Sequence, residues 1–187
     1  SDSVFTWSDF AMKNNNELLA NLGNFVNRIL SFLKTRFGGV VPAVSPDQDP
    51  EFIKAVQARI STYVTLFDAV KIKEALREAM ALSGDGNRFM QENEPWRLVK
   101  EGKIERSQAV LGLCVNVVYW LAVLLEPFMP ACSAKILKQL NFGILADALV
   151  TDRFVCHIPA GHVIGEPELL FRRVEPEELD KLRAKHA

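Results

Sequence analysis

Asparagine and arginine are the side chains best equipped to read the edge of a nucleotide base, because each offers paired hydrogen-bonding groups. Near the start of this chain they recur with a rhythm that would use them. Glu17, Asn21, Asn24, Arg28, Ser31 and Thr35 alternate spacings of four and three, so they line one face of a helix. Leu18, Leu22, Phe25, Ile29 and Leu33 keep the same rhythm on the opposite, apolar face. Asn21, Gly23, Asn24 and Asn27 together cost such a helix roughly 3 kcal/mol relative to alanine, which points to a use for the polar face. A second stretch, Asn87-Arg88-Phe89-Met90-Gln91-Glu92-Asn93-Glu94-Pro95-Trp96, ends in an indole behind a rigid proline. Composition alone leaves Trp96 two roles: an anchor of a short helix against the core, or a stacking platform for an unpaired base. The two overlap, since one edge of the ring can pack while a face stays open.

Catalytic constellations are weak by comparison. Cys156 and His157 are neighbours, but in a strand their side chains would point to opposite faces. His162, after Gly161, reads as a turn residue. No glycine-rich phosphate loop and no metal-ligand cluster is visible, so neither catalytic nor metal-binding residues are expected. The formal net charge of -1 removes any general attraction for polyanions. Nucleic acid would have to be held by a local patch with specific contacts. Lys13, Lys34 and Arg36 could touch phosphates, although exposed basic residues are more often simply solvated. Cys114, Cys132 and Cys156 are odd in number and far apart, which suggests neither disulfides nor zinc and fits a reducing cytoplasm. The chain opens with Ser1 rather than Met and has no signal peptide, so it is expected to be a piece of a longer protein.

The elements that must position these residues read as a mainly α helical bundle with a short β-like or irregular tail. Thr6 caps a short helix to about Lys13, and the striped helix follows to Phe37, where Gly38-Gly39 stops it. Helices are expected around 52–67 and 72–82, the latter breaking at Ser83-Gly84-Asp85-Gly86, with a turn regained over 87–91. Pro95 suits the first turn of a short helix. Residues 110–125 are the most apolar run, shorter than a usual membrane span and followed by Pro127 and Pro130. A buried helix is expected there, not a membrane. A further helix spans about 131–140. Residues 154–158 and 169–174 have strand-like composition, and Pro176 starts a final charged helix. The domains are therefore read as 1–150, the bundle, and 151–187, the tail.

Three blocks carry a family resemblance. The run Glu17-Leu18-Leu19-Ala20-Asn21-Leu22-Gly23-Asn24-Phe25-Val26-Asn27-Arg28, the helix end Arg36-Phe37-Gly38-Gly39, and Asn93-Glu94-Pro95-Trp96 resemble, in order and separation, the anticodon-binding domain of methionyl-tRNA synthetases, class I aminoacyl-tRNA synthetases. Glu74-Ala75-Leu76-Arg77 echoes, with Glu for Asp, a box of related class I anticodon domains. The tail from Pro159-Ala160-Gly161-His162 through Ile164-Gly165 to Leu170-Phe171 resembles the eukaryotic branch and some bacterial relatives, where it returns towards the catalytic core.

The resemblance implies recognition of the anticodon CAU of tRNA(Met), for an enzyme that attaches methionine to its tRNA at the expense of ATP. By motif match, Asn24 and Arg28 read anticodon bases and Trp96 stacks on one, with Asn27, Asn87 and Pro95 as supports. The H-I-G-H-like and K-M-S-K-S-like signatures of the catalytic domain do not occur in this chain, so it is expected to be inactive alone. No cofactor is expected on it; ATP and Mg²⁺ belong to the parent enzyme. Implied partners are the tRNA(Met) anticodon loop and the catalytic domain of the same polypeptide, with a multi-synthetase complex as a candidate assembly. Two alternatives stay open: the anticodon domain of a cysteine, valine, isoleucine or leucine enzyme, and a helical protein-interaction scaffold without RNA contact.

Overall fold

The computed structural model describes residues 6–45, 47–148 and 153–187. Ser1 and the expected boundary between residues 150 and 151 lie outside them. Helix α1 (Trp7–Lys13), a π-helical stretch (Asn14–Gly23) and α2 (Asn24–Phe37) follow one another without interruption. Thr6 Oγ accepts the Asp9 amide at 3.1 Å, capping the start. Gly38 closes the end in the left-handed region, at φ 63°. The expected single α rhythm is therefore corrected over its first half, where the turns are wider. At the junction the Asn24 amide donates five residues back to the Leu19 carbonyl, the π pattern.

Helices α3 (Pro50–Asp68), α4 (Ile72–Asn93), α5 (Pro95–Lys100), α6 (Ile104–Leu125) and α7 (Pro130–Leu140) complete the bundle. Proline opens α3, α5 and α7, where its missing N–H costs nothing. The expected break at residues 83–86 does not occur. Helix α4 runs through these residues, and a side chain at Gly86 would meet the Phe25 ring at 2.6 Å. Glycine there permits close approach of two helices rather than a stop. Asp85, between the glycines, binds Arg59 of α3 at 2.9 Å and Arg88 at 2.7 Å. Phe52 stacks flat on Phe89 at 3.8 Å, further locking α3 to α4.

Helix α6 is the axis of the core. It is long and apolar enough to cross a membrane, yet 94% of its most apolar window is buried inside the protein. Its polar groups are satisfied locally: Asn116 Nδ2 donates to the Gly112 carbonyl, and Trp120 Nε1 to the Val155 carbonyl at 2.8 Å.

The expected strands do not pair with each other. Among the described residues the only extended pairing is one antiparallel bridge, Val40 with Val163. The tail instead bonds to helix side chains. Asn116 Oδ1 accepts the Ile158 amide at 3.0 Å, Gln57 Oε1 the Phe154 amide, and Asn15 Oδ1 the Val174 amide. Helix α8 (Pro176–Lys185) follows and packs on α1, with Trp7 stacked on His186 at 5.9 Å.

Candidate nucleic-acid interface

The first helix and α4 lie side by side and in the same direction, since Asn21 meets residues 80–87 while Arg28 meets Gln91. Asn21 is the tie between them. Its Nδ2 donates to the Met80 carbonyl at 3.0 Å, and its Oδ1 accepts from Ser83 Oγ at 2.8 Å. Asn87 Nδ2 donates to the Asn21 carbonyl at 3.0 Å. That bond fixes the amide orientation, because a flipped Asn87 would set oxygen against oxygen. It leaves Asn87 Oδ1 as a buried acceptor without a partner in the groove wall.

Above this tie the seam opens into a shallow groove of about 440 Å³, lined by Asn24, Arg28, Asn87, Arg88 and Gln91 among others. Asn24 is exposed in it. The Arg28 guanidinium lies 5.3 Å from the centroid of the Trp96 ring, a cation–π contact, and reaches Gln91 Oε1 at 3.5 Å. Trp96 is half-buried, packed on the core and covered by Arg28. The indole therefore anchors α5 to the core while one ring face meets Arg28.

The turn that delivers Trp96 is held from beneath. Glu94 takes a left-handed conformation, φ 45°, at the end of α4. Asn93 Oδ1 accepts from Arg106 at 2.7 Å, and the same guanidinium grips both oxygens of Asp49. Pairing with Asp49 raises the Arg106 pKa, so the clamp stays charged at any working pH. The Pro95 carbonyl accepts from buried Ser107 Oγ. Asn87 lines the groove, and Pro95 sits in the turn just before Trp96. Asn27 does neither: it accepts from Ser31 and lines a separate hollow beneath Leu170 and Phe171 of the tail.

Sequence reasoning did not single out Gln91, Arg88 or the inter-helix role of Asn21. Gln91 stands four residues after Asn87, a helical spacing that an unbroken α4 would have revealed. Lys34 is ion-paired to Glu166 of the tail at 2.9 Å. Nor is Cys156–His157 a nucleophile–base pair. Burial pushes the Cys156 thiol up to about 11, while His157 packs against Tyr119 and Trp120. His162 sits in the expected turn, its amide bonded to the Pro159 carbonyl and Nε2 beside the Leu140 carbonyl.

The profile of a family described as the anticodon binding domain of methionyl tRNA ligase matches residues 41–187. The cytoplasmic methionine–tRNA ligase of Mus musculus is 41% identical over 97% of this chain and 20% of its own length. That of Saccharomyces cerevisiae is 38% identical over the whole chain and 25% of its own length. The chain thus spans about a fifth to a quarter of these relatives. Among solved structures, the free-state methionyl-tRNA synthetase of Mycobacterium tuberculosis superposes with a TM-score of 0.80 at 26% identity, over 92% of this chain and 35% of that one. The same enzyme in complex with methionyl-adenylate gives 0.77 over 89% of this chain and 33% of that one. Among the amino acids left open by the sequence, the match selects methionine. With its helical bundle and an Asn–Arg–Trp seam, the chain belongs to the family of methionyl-tRNA ligase anticodon-binding domains.

Proposed function

We propose that the groove reads the CAU anticodon of tRNA(Met) for an ATP-dependent, cytoplasmic methionine–tRNA ligase, with Asn24, Arg28 and Trp96 as the reading residues. The observation that carries this is the guanidinium lying over the indole in a groove shared with Asn24. Single-stranded loops are recognised by splaying bases out, stacking them on aromatics and bonding their exposed edges. Here the base takes the ring face that Arg28 now covers. Arg28 swings to the base edge, where Asn24 and Gln91 offer further donors and acceptors. The cation–π contact, worth about 0.5–1 kcal/mol at exposed sites, keeps the ring clean and the arginine close until then. Asn87 and Pro95 support the walls; Asn27 contributes at most to the neighbouring hollow.

In this reading residues 1–150 form the anticodon-binding bundle, and 151–187 a tail returning towards the catalytic domain. Methionine, ATP and Mg²⁺ are handled by that domain, where activation of the amino acid takes place. The curated relatives named above are cytoplasmic enzymes. Partners follow from the family: tRNA(Met), the catalytic domain, and a multi-synthetase complex as a further assembly to test.

Titration of the protein with CAU and single-base-changed stem-loops decides the matter. Trp96→Ala should weaken CAU binding by about 1–3 kcal/mol while the protein stays folded. Arg28→Ala should flatten the preference among anticodons, because it removes base-edge contacts. If it weakens all stem-loops equally and changes only their salt dependence, Arg28 is a phosphate contact and the assignment fails.

A further inference from the structure

The seam between the first helix and α4 does not end at the anticodon groove. Below Asn21, which lines both, it widens into the larger hollow of about 780 Å³. The floor is apolar, with Leu76, Met80 and Met129, and the rim carries Lys13, Lys73 and Arg77, all exposed, against a single acid, Glu17. Lys34, Arg59, Arg88, Arg97 and Arg106 of the bundle are ion-paired. Among the described residues Lys13, Lys73 and Arg77 form no ion pair. Three uncommitted cations line one groove of a chain whose net charge is -1.

The geometry points to a track for the ribose–phosphate backbone that flanks the anticodon loop. The occupant is RNA because the rim is cationic and the hollow lies along the same seam, sharing Asn21 with the groove proposed to hold the anticodon bases. Lys13 and Arg28 are fifteen residues apart on one continuous helical run, roughly 20 Å at 1.5 Å per residue. Several successive phosphates of one strand fit that span. Bases read at the Arg28 end leave their strand running down the seam, where Lys13, Lys73 and Arg77 neutralise phosphates and the apolar floor receives riboses. Contacts of this kind fix register and orientation without carrying sequence information. The track rests on the anticodon reading for its direction, but it is tested by different variants.

The intact protein carrying K13A, K73A and R77A together is titrated over a range of salt against three RNAs. These are a CAU stem-loop, a stem-loop with one anticodon base changed, and the CAU loop sequence as a linear oligonucleotide. Both stem-loops should lose affinity by the same factor, about tenfold or more at low salt. The slope of log K against log salt should fall by about 2–3, as expected for three lost phosphate contacts at about 0.7–0.9 each. The ratio between the two stem-loops should not move, and the linear oligonucleotide should lose less. Glu17→Gln should act oppositely, tightening both stem-loops. Unchanged affinity and slope for the triple variant overturn the track, including the case in which a protein surface occupies the hollow instead. Should the wild type fail to distinguish the two stem-loops while the triple variant still lowers the slope, the anticodon reading falls and the track stands.

Discussion

Helix α6 and the seam between the first helix and α4 are built on opposite principles. In α6, eighteen of its residues are buried, and its few polar groups are bonded within the fold. The seam is open and rimmed with polar groups, and among the described residues it leaves an acceptor on Asn87 unbonded and several cations without an ion pair. One region gains stability from apolar area, at about 25 cal/mol per Å² removed from water. The other leaves polar groups unpaired within the described residues, at a cost in stability. Fold and recognition are therefore separable by mutation, except where one residue serves both.

Trp120→Ala should divide the two regions most sharply. It removes the largest fully buried side chain and should cost about 3–5 kcal/mol in chemical denaturation, with the anticodon preference of the folded fraction unchanged. Gly86→Ala should join them. The added methyl has to push against the Phe25 ring, costing about 1–3 kcal/mol, and the displaced α4 carries Asn87 and Gln91 away from Arg28. Loss of stability without loss of RNA affinity would mean that the groove tolerates a shift of α4. The smallest effect concerns Tyr63, whose hydroxyl donates to the Leu124 carbonyl of α6 at 2.7 Å. Burial, and secondarily the charge of Glu126, pushes its pKa from 10.0 up to about 12. The folded protein holds this proton when the unfolded chain has released it. The corresponding stability is complete below pH 10 and is lost as pH rises towards 12. Tyr63→Phe should flatten that part of the pH–stability curve and leave RNA binding at pH 7 intact.

The same division explains what the sequence disclosed. Helix starts at Pro95 and Pro176, the cap at Thr6 and the burial of α6 follow from local chemistry and hydrophobic rhythm, and all are found. Gly84 and Gly86 misled because glycine marks both a turn and a close approach, and only the Phe25 ring across the interface tells them apart. The 154–158 and 169–174 segments read as strands from their composition, but backbone amides in and beside the two segments bond to Asn116, Gln57 and Asn15, on helices far away in sequence. In the site, the resemblance assigns Arg28 and Trp96 to one task from distant stretches of chain, and the fold brings the pair together. The resemblance groups Asn27 with them as a support, yet it bonds Ser31 and lines the hollow on the tail side.

The wide turns of Asn14–Gly23 set an angular phase. Deleting one residue there would rotate everything upstream by about 100°, the step of one residue in a helix with 3.6 per turn. Trp7 and Ser8, which engage the last helix, would swing away from it while Arg28 and Trp96 stayed where they are. This stretch works as a keyed shaft, on which the length of a few coils decides how the two ends of the molecule are clocked against each other.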